Sequence, residues 1–117
     1  MNKYGAKRVQ VDGIWFDSKA EARRYGSLKM LEKAKTNRIK DLQCHPKFDL
    51  YGPNSILICT YKPDFTYTEL DGYNNPLGMV AEDVKSPATA KREDYRLKVK
   101  LFKANYPDIE FREIKGG

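Results

Sequence analysis

The eight residues Gly78-Met79-Val80-Ala81-Glu82-Asp83-Val84-Lys85 constrain this chain more than any other stretch. Read as a strand they alternate, so Asp83 and Lys85 leave one face while Val80, Glu82 and Val84 leave the other. An acid and a lysine at the end of an otherwise apolar strand disfavour stability, because a buried charge is costly unless it pairs or holds a metal. The preceding strand carries the complementary oddity, Pro63-Asp64. A fold that joins the two strands brings two carboxylates together.

The charge distribution suits such a centre. Met1 to Lys40 holds eleven Lys/Arg against four acids, Ser86 to Gly117 eight against five, and Asp41 to Lys85 only three against seven. Acids concentrate where strands are expected and bases on the flanking segments, a layout for gripping phosphates around an acidic, cation-binding centre. The net charge of +6 favours a polyanionic partner. At 117 residues the chain is expected to form a single domain, 1–117, with a core that needs no disulfide. Cys44 and Cys59 are far apart and form no CxxC, which argues against zinc and reads as two reduced core thiols of a cytoplasmic protein. His45 is the only histidine, which disfavours paired-histidine chemistry and marks it as a surface or strand-edge residue. The longest apolar runs are far too short to span a membrane.

In chain order, Met1 to Lys7 reads as a basic arm, and Arg8 to Phe16 as a hairpin turning at Asp12-Gly13. Trp15, facing away from Ile14 and Phe16, is expected to pack against the first helix, with stacking on DNA as the alternative. Ser18-Lys19-Ala20-Glu21 has the spacing of a capping box, so that helix starts here and runs to about Lys35. Tyr25, Leu28 and Leu31 form its apolar stripe, and Glu21 lies on the same inward stripe. Three strands follow: Ile39 to Leu50, with Pro46 marking an edge or bulge; Ile56 to Thr68, with Tyr61, Pro63, Phe65 and Tyr67 on one face and Asp64 on the other; and the Gly78–Lys85 stretch. A second helix, capped by Ser86 or Thr89, places Tyr95, Val99, Phe102 and Tyr106 at helical spacing, and Ile109 to Ile114 alternates as a last strand. After the arm and hairpin (1–17), residues 18–114 thus read α-β-β-β-α-β, an α/β fold with a mixed sheet flanked by helices.

Asp64 and Asp83, on strands joined by a hairpin-like connection, repel each other unless a cation lies between them. Oxygen-only ligands point to Mg²⁺ or Mn²⁺. Lys85 would lie beside the ion, placed to orient or deprotonate a water and to stabilise charge on a phosphate. The Val84 carbonyl is a further ligand candidate, and Glu21 reaches the site from the first helix. Glu82 adjoins Asp83, and a bulge or a one-residue register shift would exchange their faces; parity with Lys85 favours Asp83, with Glu82 held open as a ligand. Arg23 and Arg24 on the first helix, and Lys91 and Lys98 at the second, are the candidate nucleic-acid contacts.

The pattern Glu21 … Pro63-Asp64 … Asp83-Val84-Lys85 within α-β-β-β-α-β resembles the PD-(D/E)xK nuclease superfamily. The local motifs Lys3-Tyr4-Gly5-Ala6-Lys7, Phe16-Asp17-Ser18-Lys19-Ala20-Glu21-Ala22-Arg23-Arg24-Tyr25, Pro63-Asp64-Phe65-Thr66-Tyr67 and Glu82-Asp83-Val84-Lys85 are similar to those of its small phage and prophage endonuclease-like proteins, relatives of branched-DNA resolving enzymes and of transposon cutting subunits. The resemblance implies a restriction-endonuclease-like core and Mg²⁺- or Mn²⁺-dependent hydrolysis of DNA phosphodiesters. Asp64 and Asp83 would bind the metal, Lys85 would handle the attacking water, and Glu21 would assist. Branched DNA such as Holliday junctions competes with less selective cutting, and a non-cutting DNA-binding accessory protein is the alternative from another class. Two symmetric cuts need two sites, which favours a homodimer.

Overall fold

The computed structural model describes residues 7–116, so residues 1–6 of the basic arm, with the Lys3–Ala6 part of the motif, lie outside the described residues. The chain begins with the expected hairpin, β1 (Val9–Val11) and β2 (Ile14–Phe16). Its turn residues Asp12 and Gly13 both have positive φ, the geometry for which an Asp-Gly turn is preferred. Trp15 departs from expectation. It is half exposed, and the Arg8 guanidinium lies 5.0 Å from its ring centroid, so a cation covers the ring where helix packing was expected.

Helix α1 (Lys19–Lys33) starts where the capping box places it, with the Ser18 side chain accepting a hydrogen bond from the Glu21 N–H at 3.1 Å. Its inward stripe buries Glu21, Tyr25 and Leu28. Downstream, two strands expected to be continuous are each broken at a proline. Ile39 to Leu50 divides into β3 (Ile39–Cys44) and β4 (Phe48–Tyr51) around Pro46, and Ile56 to Thr68 into β5 (Leu57–Tyr61) and β6 (Phe65–Leu70) around Pro63. Proline has no N–H for a ladder and restricts the residue before it, so both strands leave their sheet there. A 3₁₀ turn, Pro53–Ser55, links β4 to β5.

β7 (Pro76–Lys85) contains the whole Gly78 to Lys85 stretch and starts two residues before it. The second helical segment is also divided. A short α2 (Pro87–Ala90) is capped by Ser86, whose side chain accepts from the Thr89 N–H, and α3 (Glu93–Asn105) restarts after an extended Arg92. Glu93 and Asp94 occupy the first turn of α3, where carboxylates complement the helix dipole. Thr89 is therefore not a cap. β8 (Ile109–Lys115) closes the chain.

The result is a mixed α/β architecture. The main sheet runs β3-β6-β7-β8, antiparallel except for the parallel pair β7–β8, while β4–β5 forms a separate two-stranded ribbon. One apolar cluster joins Phe16, Tyr25 and Leu28 to Phe65, Tyr67, Val80 and Val84 on the α1 face. The other joins Tyr95, Val99 and Phe102 of α3 to Ala81, Leu50 and Tyr61. The break at Pro63 thus sends Tyr61 to the α3 side and Phe65 and Tyr67 to the α1 side, although unbroken alternation puts all three on one face. No helix among the described residues is long and apolar enough to cross a membrane.

Candidate metal centre

Alternation along β7 sorts its two acids as face parity requires. Val80 and Val84 belong to the α1-side cluster and Ala81 to the α3-side cluster, so Glu82 faces α1 and Asp83 faces α3. Glu82 is fully buried and already has partners. Arg24 Nε and Nη2 donate to its two carboxylate oxygens at 2.7 and 2.5 Å, and the Tyr67 hydroxyl donates to Oε2. This corrects two expectations: Glu82 is withdrawn from the metal ligands, and Arg24 from the nucleic-acid contacts, because each neutralises the other inside the fold.

Asp83 has different neighbours. Tyr61 Oη donates to its Oδ2, and Lys85 Nζ lies 3.8 Å from its Oδ1, an atom that is buried without a hydrogen-bond partner. Lys85 is held from its other side by Tyr95, whose ring centroid is 5.0 Å from Nζ. The Tyr95 hydroxyl in turn donates to Glu113 at 2.7 Å. Tyr61 and Tyr95 were read only as apolar face residues; inward tyrosines flanking an acid or a lysine were the available signal.

Asp64 sits on neither face. It occupies the bend just before β6, where that strand leaves β7, and its Oδ2 accepts the Val84 N–H at 2.7 Å. In an extended strand a residue's N–H and C=O leave on the same side, so the Val84 carbonyl faces this gap as well. From the α1 side come Glu21 and His45. Glu21, His45 and Asp64 each offer a ligand atom, and the three atoms lie within 4.8 Å of one another. Glu21 Oε1 is buried without a hydrogen-bond partner and lies 3.7 Å from His45 Nε2. His45 belongs to the site because β3 ends beside it: its φ is +54°, and its N–H donates to the Asp64 carbonyl at 2.9 Å. Sequence reading left it as an edge residue. The pattern Cys44-His45-Pro46, a potential ligand next to a strand-ending proline, was the signal that could have found it.

The centre therefore straddles the sheet at the notch where β6 parts from β7. Glu21 and His45 approach from one side, Asp83 and Lys85 from the other, and Asp64 stands between them. Burial, and then the charge of Glu21, push the Asp64 carboxyl up to about 7. Burial, and then the charge of Asp64, push Asp83 up to about 7. Glu21 is raised too, chiefly by burial. Three buried carboxyls with two unpartnered oxygens and one cation among them are short of positive charge, and the donor set fits a divalent cation.

The remaining candidates lie apart from this centre. Arg23 is exposed on α1, Lys91 is exposed in the turn before α3, and Lys98 is exposed on α3. Cys44 and Cys59 are free and partly buried. No curated protein and no solved structure matches the chain. A family model described as "Protein of unknown function (DUF1064)" matches residues 1–116. The chain, matched over almost its whole length, belongs to the DUF1064 family.

Proposed function

We propose that the chain is a metal-dependent DNA endonuclease of the PD-(D/E)xK type, with a restriction-endonuclease-like core made of α1, β3, β6, β7, α3 and β8. The observation that carries this reading is the notch itself: buried Glu21 and Asp64 offer ligand atoms within 4.8 Å of each other, buried Asp83 adjoins Asp64, one oxygen each of Glu21 and Asp83 lacks a partner, and Lys85 stands beside Asp83. Asp64, Asp83 and the Val84 carbonyl, with Glu21 and His45 from the α1 side, would hold Mg²⁺ or Mn²⁺. When bound, the ion supplies charge neutralisation at the scissile phosphate and a more acidic water.

The chain's own residues supply the rest. Lys85, fixed between Asp83 and the Tyr95 ring, orients the attacking water and meets charge developing on the phosphate. Tyr61 holds Asp83 in place by its hydroxyl. Asp64 ties the end of β7 to the notch through the Val84 N–H. Catalysis by such a site is mostly positioning and electrostatics.

The test is cleavage of linear duplex, single-stranded and four-way-junction DNA with Mg²⁺, Mn²⁺ or EDTA. Cutting is expected with either ion and none with EDTA. The higher rate is expected in Mn²⁺, because an imidazole in the donor set suits a transition ion better than Mg²⁺. Lys85→Ala is expected to cut at least about 100-fold more slowly. Activity that survives EDTA or Lys85→Ala would remove the site; DNA binding without cleavage in every metal would favour an accessory protein.

A homodimer belongs to the same proposal, since cutting both strands needs two sites and one domain supplies one. Residues 50–61 carry no charge in a chain that is 32% charged, and Ile56, Leu57 and Ile58 at the edge of the β4–β5 ribbon are more than half exposed. An uncharged strip is where two copies of a +6 chain meet with least repulsion. Leu57→Lys is expected to convert a dimeric mass to a monomeric one in light scattering; a wild-type monomer, with and without DNA, would end this part of the proposal.

A further inference from the structure

α3 presents its cations unevenly. Tyr95, Val99 and Phe102 are buried, and each is followed by a base: Arg96, Lys100 and Lys103. At 100° per residue these three bases share one flank, while Lys98 leaves the opposite one. Their flank borders a groove of about 390 Å³ between α3 and β8, walled also by Tyr95, Phe111 and Glu113. Lys103 Nζ lies 5.6 Å from the Phe111 ring centroid, so the groove floor steers one of its cations. Glu113, the carboxylate in the groove, accepts the Tyr95 hydroxyl at the end nearest the centre. Tyr95 is shared: its ring faces Lys85 and its side chain lines the groove. The groove thus begins at the notch and runs along a row of three bases.

We infer that this groove is the track for a DNA strand's phosphates as it leaves the notch, with Arg96, Lys100 and Lys103 as the phosphate contacts and Phe111 as an apolar floor. The inference rests on the nuclease reading for where the strand comes from, but the track itself is a binding site and can be tested without cleavage. Three bases at i, i+4 and i+7 follow a helix for about 10 Å, enough to pass successive phosphates of one strand. The track replaces Lys91 and Lys98 as the expected contacts on this part of the chain, since neither lines the groove.

The test is fluorescence anisotropy of a labelled 20-base-pair duplex, in EDTA and separately in Ca²⁺, across about 50 to 200 mM salt. Lys100→Ala/Lys103→Ala is expected to reduce the slope of log K against log salt by about 2, since each phosphate contact contributes about 0.9. Affinity at low salt should fall by at least about tenfold. Lys91→Ala/Lys98→Ala is expected to change the slope by less than half as much. Equal slopes for the two double variants, or no change in the groove variant, would overturn the track even if cleavage is found. Binding with the expected slope but no cleavage would keep the track and remove the nuclease. Tighter binding of an RNA duplex of the same sequence would overturn the assignment to DNA.

Discussion

Asp64→Asn is expected to abolish cleavage and, in the same protein, to stabilise the metal-free fold. Its carboxyl interacts with both Glu21 and Asp83, so in the proposed site its loss removes the ligand that the two halves share; a fall of about 10³-fold is expected, the upper range for a single preorganised electrostatic group. Stability moves the other way because the native carboxyl is strained by its surroundings. Burial raises the Asp64 and Asp83 carboxyls from 3.8 to about 7. Between about pH 4 and 7 the folded chain therefore keeps protons that the unfolded chain has released, and stability of the metal-free chain falls as pH rises through that window. Above it the penalty is complete. An asparagine keeps an acceptor for the Val84 N–H and cannot ionise. Thermal unfolding in EDTA at pH 8 should show Asp64→Asn more stable by about 2 kcal/mol, with the difference shrinking at pH 5. Equal stability at both pH values, or a less stable variant at pH 8, would mean that the carboxyls are not in conflict.

Arg24→Met is expected to destabilise the chain by about 3 kcal/mol, because it leaves a fully buried Glu82 carboxylate without its bidentate partner. For a domain of this size that lowers Tm by on the order of 15 °C. Adding Glu82→Gln should recover most of the loss, since removing both charges takes away the uncompensated one while Tyr67 retains an oxygen to donate to. Urea unfolding of the two single variants and the double variant measures this coupling. The alternative, that Arg24 contacts a phosphate, predicts the opposite pattern: stability unchanged and DNA binding weakened.

These two predictions rest on different kinds of legibility. The Ser18 cap of α1, the Asp12-Gly13 turn and the alternation of β7 are local patterns, and local geometry realises them directly. The parity of Asp83 and Lys85 is of this kind, and so is the inward placing of Glu21. What could not be read depends on how far a proline moves a strand. Pro46 marks an edge or bulge in the sequence and Pro63 reads as an interior strand position, but the consequence of both is tertiary: β3 ends at Cys44, just before His45, and β6 starts after Asp64, so both residues turn into the notch. Extending a strand through Pro63 put Tyr61 with Phe65, whereas the break assigns them to opposite faces and frees Tyr61 for Asp83. Arg24 shows a second limit. On α1 it lies beside the inward stripe, and only the position of β7 decides that its guanidinium meets Glu82 and not solvent. The division between α2 and α3 was missed for a smaller reason, since Ser86 and Glu93-Asp94 are each good helix starts and the pattern does not say that both are used.

The claim beneath the whole account is that the buried carboxylates exist to hold a divalent cation. It is tested most directly by calorimetric titration of Mn²⁺ into the metal-free chain and into Asp64→Asn at pH 8. Saturable binding to the wild type, and its loss in Asp64→Asn, is the expected result. A wild type that takes up no Mn²⁺, or an Asp64→Asn chain that binds it equally well, would contradict the account.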